Sequence, residues 1–528
     1  MRILSQSLDF PSETPSSLSW REDEPRWIHR TPMLVSPFSL GTWNLVAAIA
    51  RGNPTFDLQD AFFAFVIVGL LILAGRSIRQ KLKILRILYI PSSIVAGVLA
   101  LLLGPQVLGQ WFDPDSLLGG GLFSEDVRNV WSQSPGVFIN VVFAALFLGE
   151  TLPSPRDIWR KAAPQVAFGQ SLAWGQYVVG LVLTLFLLTP IFGMSPIAGA
   201  LIEIAFEGGH GTAAGMAETF VDLGFPEGGD LALGLATIGI VSGIVSGILL
   251  ANWGRRRGLV ASVRLEPASV EEPYETEIAR QENPDIVAAR KRLTQDLLID
   301  PISLNLGFVG LAIAIGWLML EFLKAIEAAT WGQNGLTIVG YVPLFPMALL
   351  GGIAVQGMLA RLRLTPLVMR SLMERIAGVA LDVTIVTALA SISLTALGAN
   401  VVPFTVLALA GIAWNVLAFV FLAPRMLPTF WFERGLGDMG QSMGVTATGI
   451  LLLRMVDPHN RSGAFESFAY KQLFFEPIVG GGLFTAAAPV LIVQFGATGV
   501  LLLAGGLLVF WLVLGLFVFG RKVRSLQE

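Results

Sequence analysis

Residues 207–216 read EGGHGTAAGM. Glycines, a histidine and a carboxylate suit a lipid-facing helix poorly, yet this stretch lies inside an apolar segment, 196–223. Non-helical backbone survives at membrane depth only where it is buried in protein or lines a wet cavity. The fold turns on whether EGGHGTAAGM is a flaw in a spanning helix or a turn made inside the membrane.

The rest of the chain sets that question in a membrane. Of 528 residues, 54% are hydrophobic and only 14% charged, with a mean hydropathy of +0.69. A soluble chain carries about a quarter charged residues. The net charge of −3 offers no basic footprint for a nucleic-acid partner. The absence of cysteine excludes disulfides, thiolate metal sites and cysteine nucleophiles. Residues 1–30 are polar and carry REDEPR at 21–26, so they do not read as a signal peptide. No G-x-x-x-x-G-K-[ST] loop suggests a nucleotide-driven pump, and no HExxH suggests a zinc hydrolase.

A helix crosses a bilayer with about 20 apolar residues. Eleven segments qualify as spans: 58–75, 87–106, 134–152, 164–189, 229–252, 303–322, 341–360, 376–397, 401–423, 473–494 and 499–519. Two more, 196–223 and 433–453, are apolar but interrupted by glycine and polar residues. Residues 31–50 read as partly interfacial, with a twelfth span as the alternative.

Lys and Arg gather on the cytoplasmic side. Loop 76–86 holds Arg76, Arg79, Lys81, Lys83 and Arg86, whereas loop 107–133 holds only Arg128. Arg255, Arg256 and Arg257 fall inside only if segment 196–223 enters and leaves on one face, here the outer one. The second half repeats the pattern, with basic residues at 361–375, 425–434, 454–471 and 521–524 and only Lys324 in loop 323–340. It closes only if 433–453 is re-entrant from the inner face. Apart from the N-terminal tail, whose basic residues would lie outside, only Arg128 and Lys324 break the inside rule.

Each half thus reads as four spans, one hairpin and one span, starting from opposite faces. Weak internal identity runs in the same order: Gly136–Asn140 parallels Gly378–Asp382, Ala173–Trp174 parallels Ala413–Trp414, and Thr212–Gly215 parallels Thr446–Gly449. The expected fold is an all-α polytopic membrane protein of two inverted-topology repeats. Its parts are an extension at 1–56, a first repeat at 57–252, a cytoplasmic linker at 253–300, a second repeat at 301–494, and a further span with a basic tail at 495–528.

Inverted repeats are a transporter architecture. A hairpin tip leaves helix-end N–H and C=O groups unpaired. The N–H end favours a carboxylate, and free carbonyls and Thr hydroxyls favour a small hard cation. Two tips meeting near the midplane would make a site for an anionic solute and Na⁺.

FEGGHGTAAGM, followed by FVDLGFPEGGDLALGLATIGIVSGIVSG, resembles the sodium/glutamate symporter family in its GGHGT hairpin and the Ala-Thr-Ile-Gly-Ile-Val-x-Gly helix after it. IPSSIVAGVLALLLG at 90–104 and DLQDAFFAFVIVGLLILAGRSIR at 57–79 are similar to that family too, and MGVTATGILLLRMVDP at 443–458 stands where it has a second hairpin. The resemblance implies Na⁺-driven uptake of L-glutamate by a homodimer in which a hairpin-bearing region moves as an elevator. The implied setting is a bacterial cytoplasmic membrane, with no organic cofactor; the basic-loop pattern puts the N-terminus outside and the C-terminus inside.

The substrate-binding candidates are Gly208, Gly209, His210, Gly211, Thr212, Gly444, Thr446, Thr448, Arg454 and Asp382. The Na⁺ candidates are Glu207, Thr212, Asn140, Asp382 and Thr446. For the glycines the plain alternative is close helix packing; for His210, backbone capping; for Arg454, an inside anchor paired with Asp457. Glu207 is open between a sodium ligand, a proton carrier and an ion-pair partner. Ser442, Gln441 and Asn415 are further polar candidates. An H⁺-coupled or other organic-anion carrier is the alternative within the class. A channel and a membrane-embedded hydrolase, with His210 and Thr212 as the only nearby pair, are remote.

Overall fold

A computed structural model describes residues 57–520 apart from 114–115, 117, 151–154, 261–283, 295–298 and 459–461. The extension at 1–56, with its interfacial segment 31–50, most of the linker at 253–300, and the basic tail at 521–528 lie outside the described residues. The described residues are helical throughout, with no strand.

The first half contains α1 (Leu58–Lys81), α2 (Ser92–Leu102), α3 (Glu125–Ala145), α4 (Pro155–Leu183), α5 (Leu201–Phe206), α6 (Gly209–Gly215) and α7 (Gly228–Arg256). The second contains α8 (Pro301–Ala329), α9 (Leu344–Arg361), α10 (Arg370–Ala390), α11 (Val401–Phe421), α12 (Trp431–Val456), α13 (Ala464–Phe475) and α14 (Leu483–Val513). Local chemistry fixes several starts. Asp57 and Asp60 form a reciprocal capping box on α1. Asp300 accepts from the Ile302 and Ser303 amides, with Pro301 at the first helical position of α8.

Seven helices among the described residues are long and apolar enough to cross a membrane: Leu58–Lys81, Ala162–Phe192, Gly228–Arg256, Pro301–Ala329, Leu344–Arg361, Val401–Met426 and Leu483–Phe519. The C-terminal region departs from the sequence reading. Where two spans are expected at 473–494 and 499–519, α13 ends at Phe475, a loop containing Gly480–Gly482 follows, and one helical run begins at Leu483. That run is interrupted at Gly496, whose φ is 76°.

The helices sort into two packing sets. α1, α2, α3, α8, α9 and α10 pack on one another, and α4, α5, α6, α7, α11, α12, α13 and α14 pack on one another. In the first set, Trp131 joins Ala64, Val68, Val130 and Val386 in one core and donates its indole N–H to Ala64 O (3.2 Å). α8 and α9 approach until their backbones nearly touch: a Cβ on Gly351 would lie 2.0 Å from Ala312 O. In the second set, large rings such as Phe206, Phe419, Phe432 and Phe475 fill a continuous core.

The two sets meet mainly through α6. Gly211 seats against Ile139 of α3 and Leu381 of α10, where an added Cβ would lie 2.7 and 3.4 Å from their δ-carbons. Beside it, Ile94, Ile240, Ile244, Ile385 and Leu389 form an aliphatic seam, with Tyr89 packed against it. Polar ties across the boundary include the Ser393 amide to Asp230 (2.9 Å) and Thr219 to Tyr341 O (3.3 Å).

Candidate functional site

Besides the exposed interruption at Gly496 in α14, two breaks in the second set lie in the protein interior. The first follows α5. The Gly208 amide donates back to Glu203 O (3.2 Å), and Gly209 takes φ +68°, a left-handed value that glycine reaches without steric penalty. The second break lies inside α12, at Gly444 (φ −152°, ψ 38°) and Val445 (φ 59°, ψ 176°). For a β-branched residue this conformation costs on the order of 1–3 kcal/mol and persists only when its surroundings hold it. The arms on either side of this break lie against each other. Cβ atoms built on Gly437, Gly440 and Gly444 would meet Leu453, Gly449 and Thr448 in turn, so the chain doubles back.

The two breaks touch. A Cβ on Gly209 would lie 2.3 Å from Val445 Cγ1, and one on Gly239 of α7 would lie 2.3 Å from Met443 O. The tips, about 235 residues apart in sequence, therefore form one surface backed by α7.

Polar groups around this contact fall into satisfied and unsatisfied sets. Glu203 is fully engaged: Oε2 accepts from Tyr177 Oη (2.5 Å), and Oε1 accepts from the Gly480 amide and Thr485 Oγ1 (both 2.8 Å). His210 Nε2 lies 2.9 Å from Thr237 Oγ1. The Thr237 hydroxyl donates to Leu233 O (3.1 Å), which leaves it to accept from Nε2–H. Thr446 donates to Glu476 Oε1 (2.8 Å) and accepts from Gln472 Nε2 (2.6 Å). Gln176 Nε2 donates to Ser442 O (2.7 Å) and Asn415 Oδ1 (3.2 Å), tying α4 and α11 to the second break.

Glu207 differs. It is 2% exposed, and neither carboxylate oxygen has a hydrogen-bond partner. Ser442 lies nearby but outside hydrogen-bonding geometry, and Lys471, Glu203 and Asp438 are its charged neighbours. Thr212 Oγ1, Ser442 Oγ and Gln176 Oε1 are likewise buried without partners. Most buried polar groups are paired, so four side chains with orphaned oxygens around two touching helix breaks form an oxygen-rich place for a small cation.

The candidates from sequence divide accordingly. Glu207, Gly208, Gly209, His210, Gly211, Thr212, Gly444, Thr446 and Thr448 belong to the two breaks or the turns beside them. Asn140 and Asp382 belong to the first packing set, one residue beyond Ile139 and Leu381, which hold Gly211. Asn140 Nδ2 is spent on its own helix, donating to Gly136 O (2.7 Å) and Val137 O (3.1 Å). Arg454 stands in the last turn of α12, about 12 Å along the helix from Thr446 at 1.5 Å per residue.

Several buried groups are missed by sequence reasoning: Gln165, Gln176, Glu203, Asp438, Glu476 and Lys471. The loop count places Lys471 among the inside anchors of 454–471, but its side chain is fully buried, 3.4 Å from Asp438. Its apolar neighbours Phe468, Leu473, Phe474 and Phe475 were the available signal. For Glu203, the signal was its spacing one helical turn before Glu207.

Among curated proteins, a search finds no match to this chain. A family model described as the sodium/glutamate symporter matches residues 137–459, more than half of the chain and inclusive of both breaks. The chain belongs to the sodium/glutamate symporter family.

Proposed function

We propose that the two breaks are the tips of re-entrant hairpins and that they jointly bind Na⁺ and glutamate or a related dicarboxylate for inward symport. The observation that carries this reading is the direct contact of the tips at Gly209 and Val445, with orphaned oxygens of Glu207, Thr212, Ser442 and Gln176 around it. A buried carboxylate without a partner is costly. Na⁺ at Glu207 and Thr212 offsets that cost, and coupling follows because the ion favours the closed, loaded site over the empty one. Gly208–Gly211, Gly444, Thr446 and Thr448 shape the adjoining surface for the organic anion. Asn140, whose Oδ1 is buried without a hydrogen-bond partner, and Asp382 serve Na⁺ from the edge of this site, and Asp382 and Arg454 serve the solute from there.

The finer architecture belongs to the same proposal. Two hairpins opening to opposite faces, each set among membrane-crossing helices, form two inverted repeats, 57–252 and 301–494, with 253–300 cytoplasmic. The oily boundary at α6, with Gly211 against Ile139 and Leu381, supports sliding of the second packing set along the first, an elevator. A homodimer in a bacterial cytoplasmic membrane completes the reading.

The test is uptake of labelled glutamate into liposomes containing the purified protein. Accumulation under an inward Na⁺ gradient, competed by unlabelled glutamate, is expected. Equal uptake driven by a pH gradient in Na⁺-free buffer would instead make Glu207 a proton carrier and remove Na⁺ from the site. A cysteine placed at His210 should react with an impermeant reagent from the outer face only; reaction from the inner face would overturn the orientation of the first hairpin.

A further inference from the structure

Lys471 of α13 is buried beneath the second break. Its ammonium donates to Gln441 Oε1, lies 3.4 Å from Asp438 Oδ1, and faces the rings of Phe475 (4.1 Å) and Phe468 (5.3 Å). Asp438 and Gln441 both belong to the arm of α12 that leads into Gly444. From α4, Gln165 Nε2 donates to the same Asp438 Oδ1 (3.1 Å). Asp438 Oδ2 and Gln165 Oε1 are buried without hydrogen-bond partners. α4 is notched at this level: a Cβ on Gly169 would lie 2.4 Å from Lys471 Cε and 3.0 Å from Nζ.

The ammonium therefore sits among carboxylate and amide oxygens, the donor class that hard cations take. Ammonium and Na⁺ carry the same charge and seek the same oxygens. The difference is that the lysine is tethered and cannot leave with the solute. We propose that Lys471 fills, with a resident charge, a second cation position made by Asp438, Gln441 and Gln165, and so keeps the number of Na⁺ ions bound per chain one lower than these oxygens would otherwise draw in. The position is separate from Glu207 and Thr212, and the inference rests on the Na⁺-coupled reading above.

The geometry favours this over a purely structural ion pair. A pair kept only for packing would be expected to use up the donors and acceptors around it, because partly satisfied buried networks destabilise. Here two oxygens of the residues around the ammonium, Asp438 Oδ2 and Gln165 Oε1, are left without hydrogen-bond partners.

The test is equilibrium ²²Na⁺ binding to the purified full chain, with melting temperatures measured in Na⁺ and in choline. Lys471→Met should bind one more Na⁺ per chain than wild type, and Na⁺ should raise its melting temperature more than it raises that of wild type. Lys471→Arg should keep the wild-type number. The double variant Asp438→Asn/Lys471→Met should return to the wild-type number, because the carboxylate that holds the extra ion is gone. A Lys471→Met protein with the wild-type number overturns the inference. So does one that fails to fold equally in Na⁺ and choline, since Na⁺ should replace the missing charge. Wild-type protein that binds no Na⁺ overturns the coupling reading and this inference together, whereas normal wild-type binding with an unchanged variant count overturns this inference alone.

Discussion

The contact between Gly209 and Val445 can be tested by a double-mutant cycle. Gly209→Ala acts in two ways. An alanine held at φ +68° costs about 1–2 kcal/mol. Its Cβ would also lie 2.3 Å from Val445 Cγ1, well inside the ~3.5–4.0 Å at which carbon atoms rest. Val445 has little room to yield: its χ1 is stiff, and its backbone is already in a sparsely allowed region. Overpacking of this kind adds about 1–3 kcal/mol. The combined penalty of roughly 2–5 kcal/mol falls on the conformation in which the tips meet.

If that conformation binds solute, its population falls and the apparent KM for glutamate rises about 30-fold at the lower end of the range. Val445→Ala removes the methyl groups that Gly209→Ala strikes while leaving the α12 hairpin in place. The double variant should therefore recover at least about fivefold in apparent KM relative to Gly209→Ala alone, a coupling energy of roughly 1 kcal/mol or more. The assay is Na⁺-driven glutamate uptake in liposomes, with the same four proteins compared by thermal melting. A Gly209→Ala protein within about twofold of wild type would refute the contact as part of the site. Two strictly additive single effects would show that the tips do not meet during transport.

Three further outcomes follow from neighbouring groups. Glu207→Gln should lower apparent Na⁺ affinity by about tenfold or more, since it removes a charge–charge interaction worth at least ~1.4 kcal/mol, while glutamate affinity at saturating Na⁺ changes little; an unchanged Na⁺ titration would release Glu207 from the ion site. Glu203→Gln should lower the melting temperature without altering Na⁺ dependence, because an amide cannot accept from Tyr177, Gly480 and Thr485 as a carboxylate does, at a loss of about 1.5–3 kcal/mol; a changed Na⁺ titration would show that it ligates the ion. Asp230→Ala removes the acceptor for the Ser393 amide and should change stability by about 1 kcal/mol, visible as an altered glutamate exchange rate if the two packing sets separate there; unchanged exchange and melting would mean that the tie is idle.

The membrane class and both interrupted segments were legible in the sequence, because each leaves a mark in local composition. EGGHGTAAGM suits lipid poorly and reads as an interruption, and the structure breaks the helix there at Gly208 and Gly209. Gly444 was marked by the same logic through MGVTATG. What local composition does not encode is which polar side chains find partners. Glu203 and Glu207 share a helical face one turn apart and read alike. Only the fold brings Tyr177, Gly480 and Thr485 to one and leaves the other bare. Lys471 was hidden for a related reason: a basic residue close to a cluster of loop charges counts as an anchor until its side chain is seen packed against Gly169 and Phe475. Asn140 and Asp382 were found by repeat symmetry, which pairs positions but says nothing about which packing set holds them.

The contrast between the two carboxylates also explains why the break falls where it does. Glu203 accepts from the Gly480 amide in the loop before α14 and from the Thr485 hydroxyl in its first turn, and so ties α5 to the start of α14. That bond anchors α5 from a turn below the break. Past it, Gly208 closes the helix on Glu203 O, and Gly209 turns the chain before any side chain can compete for space with Val445. Glu207 is thus the last side chain of a firmly held helix, its two oxygens without hydrogen-bond partners, beside a surface completed by the break in α12. A carboxylate on a mobile tip could relax toward the nearest donor. One fixed from behind cannot, and on the proposed reading that rigidity would let a cation gain the full interaction rather than spend part of it on reorganisation.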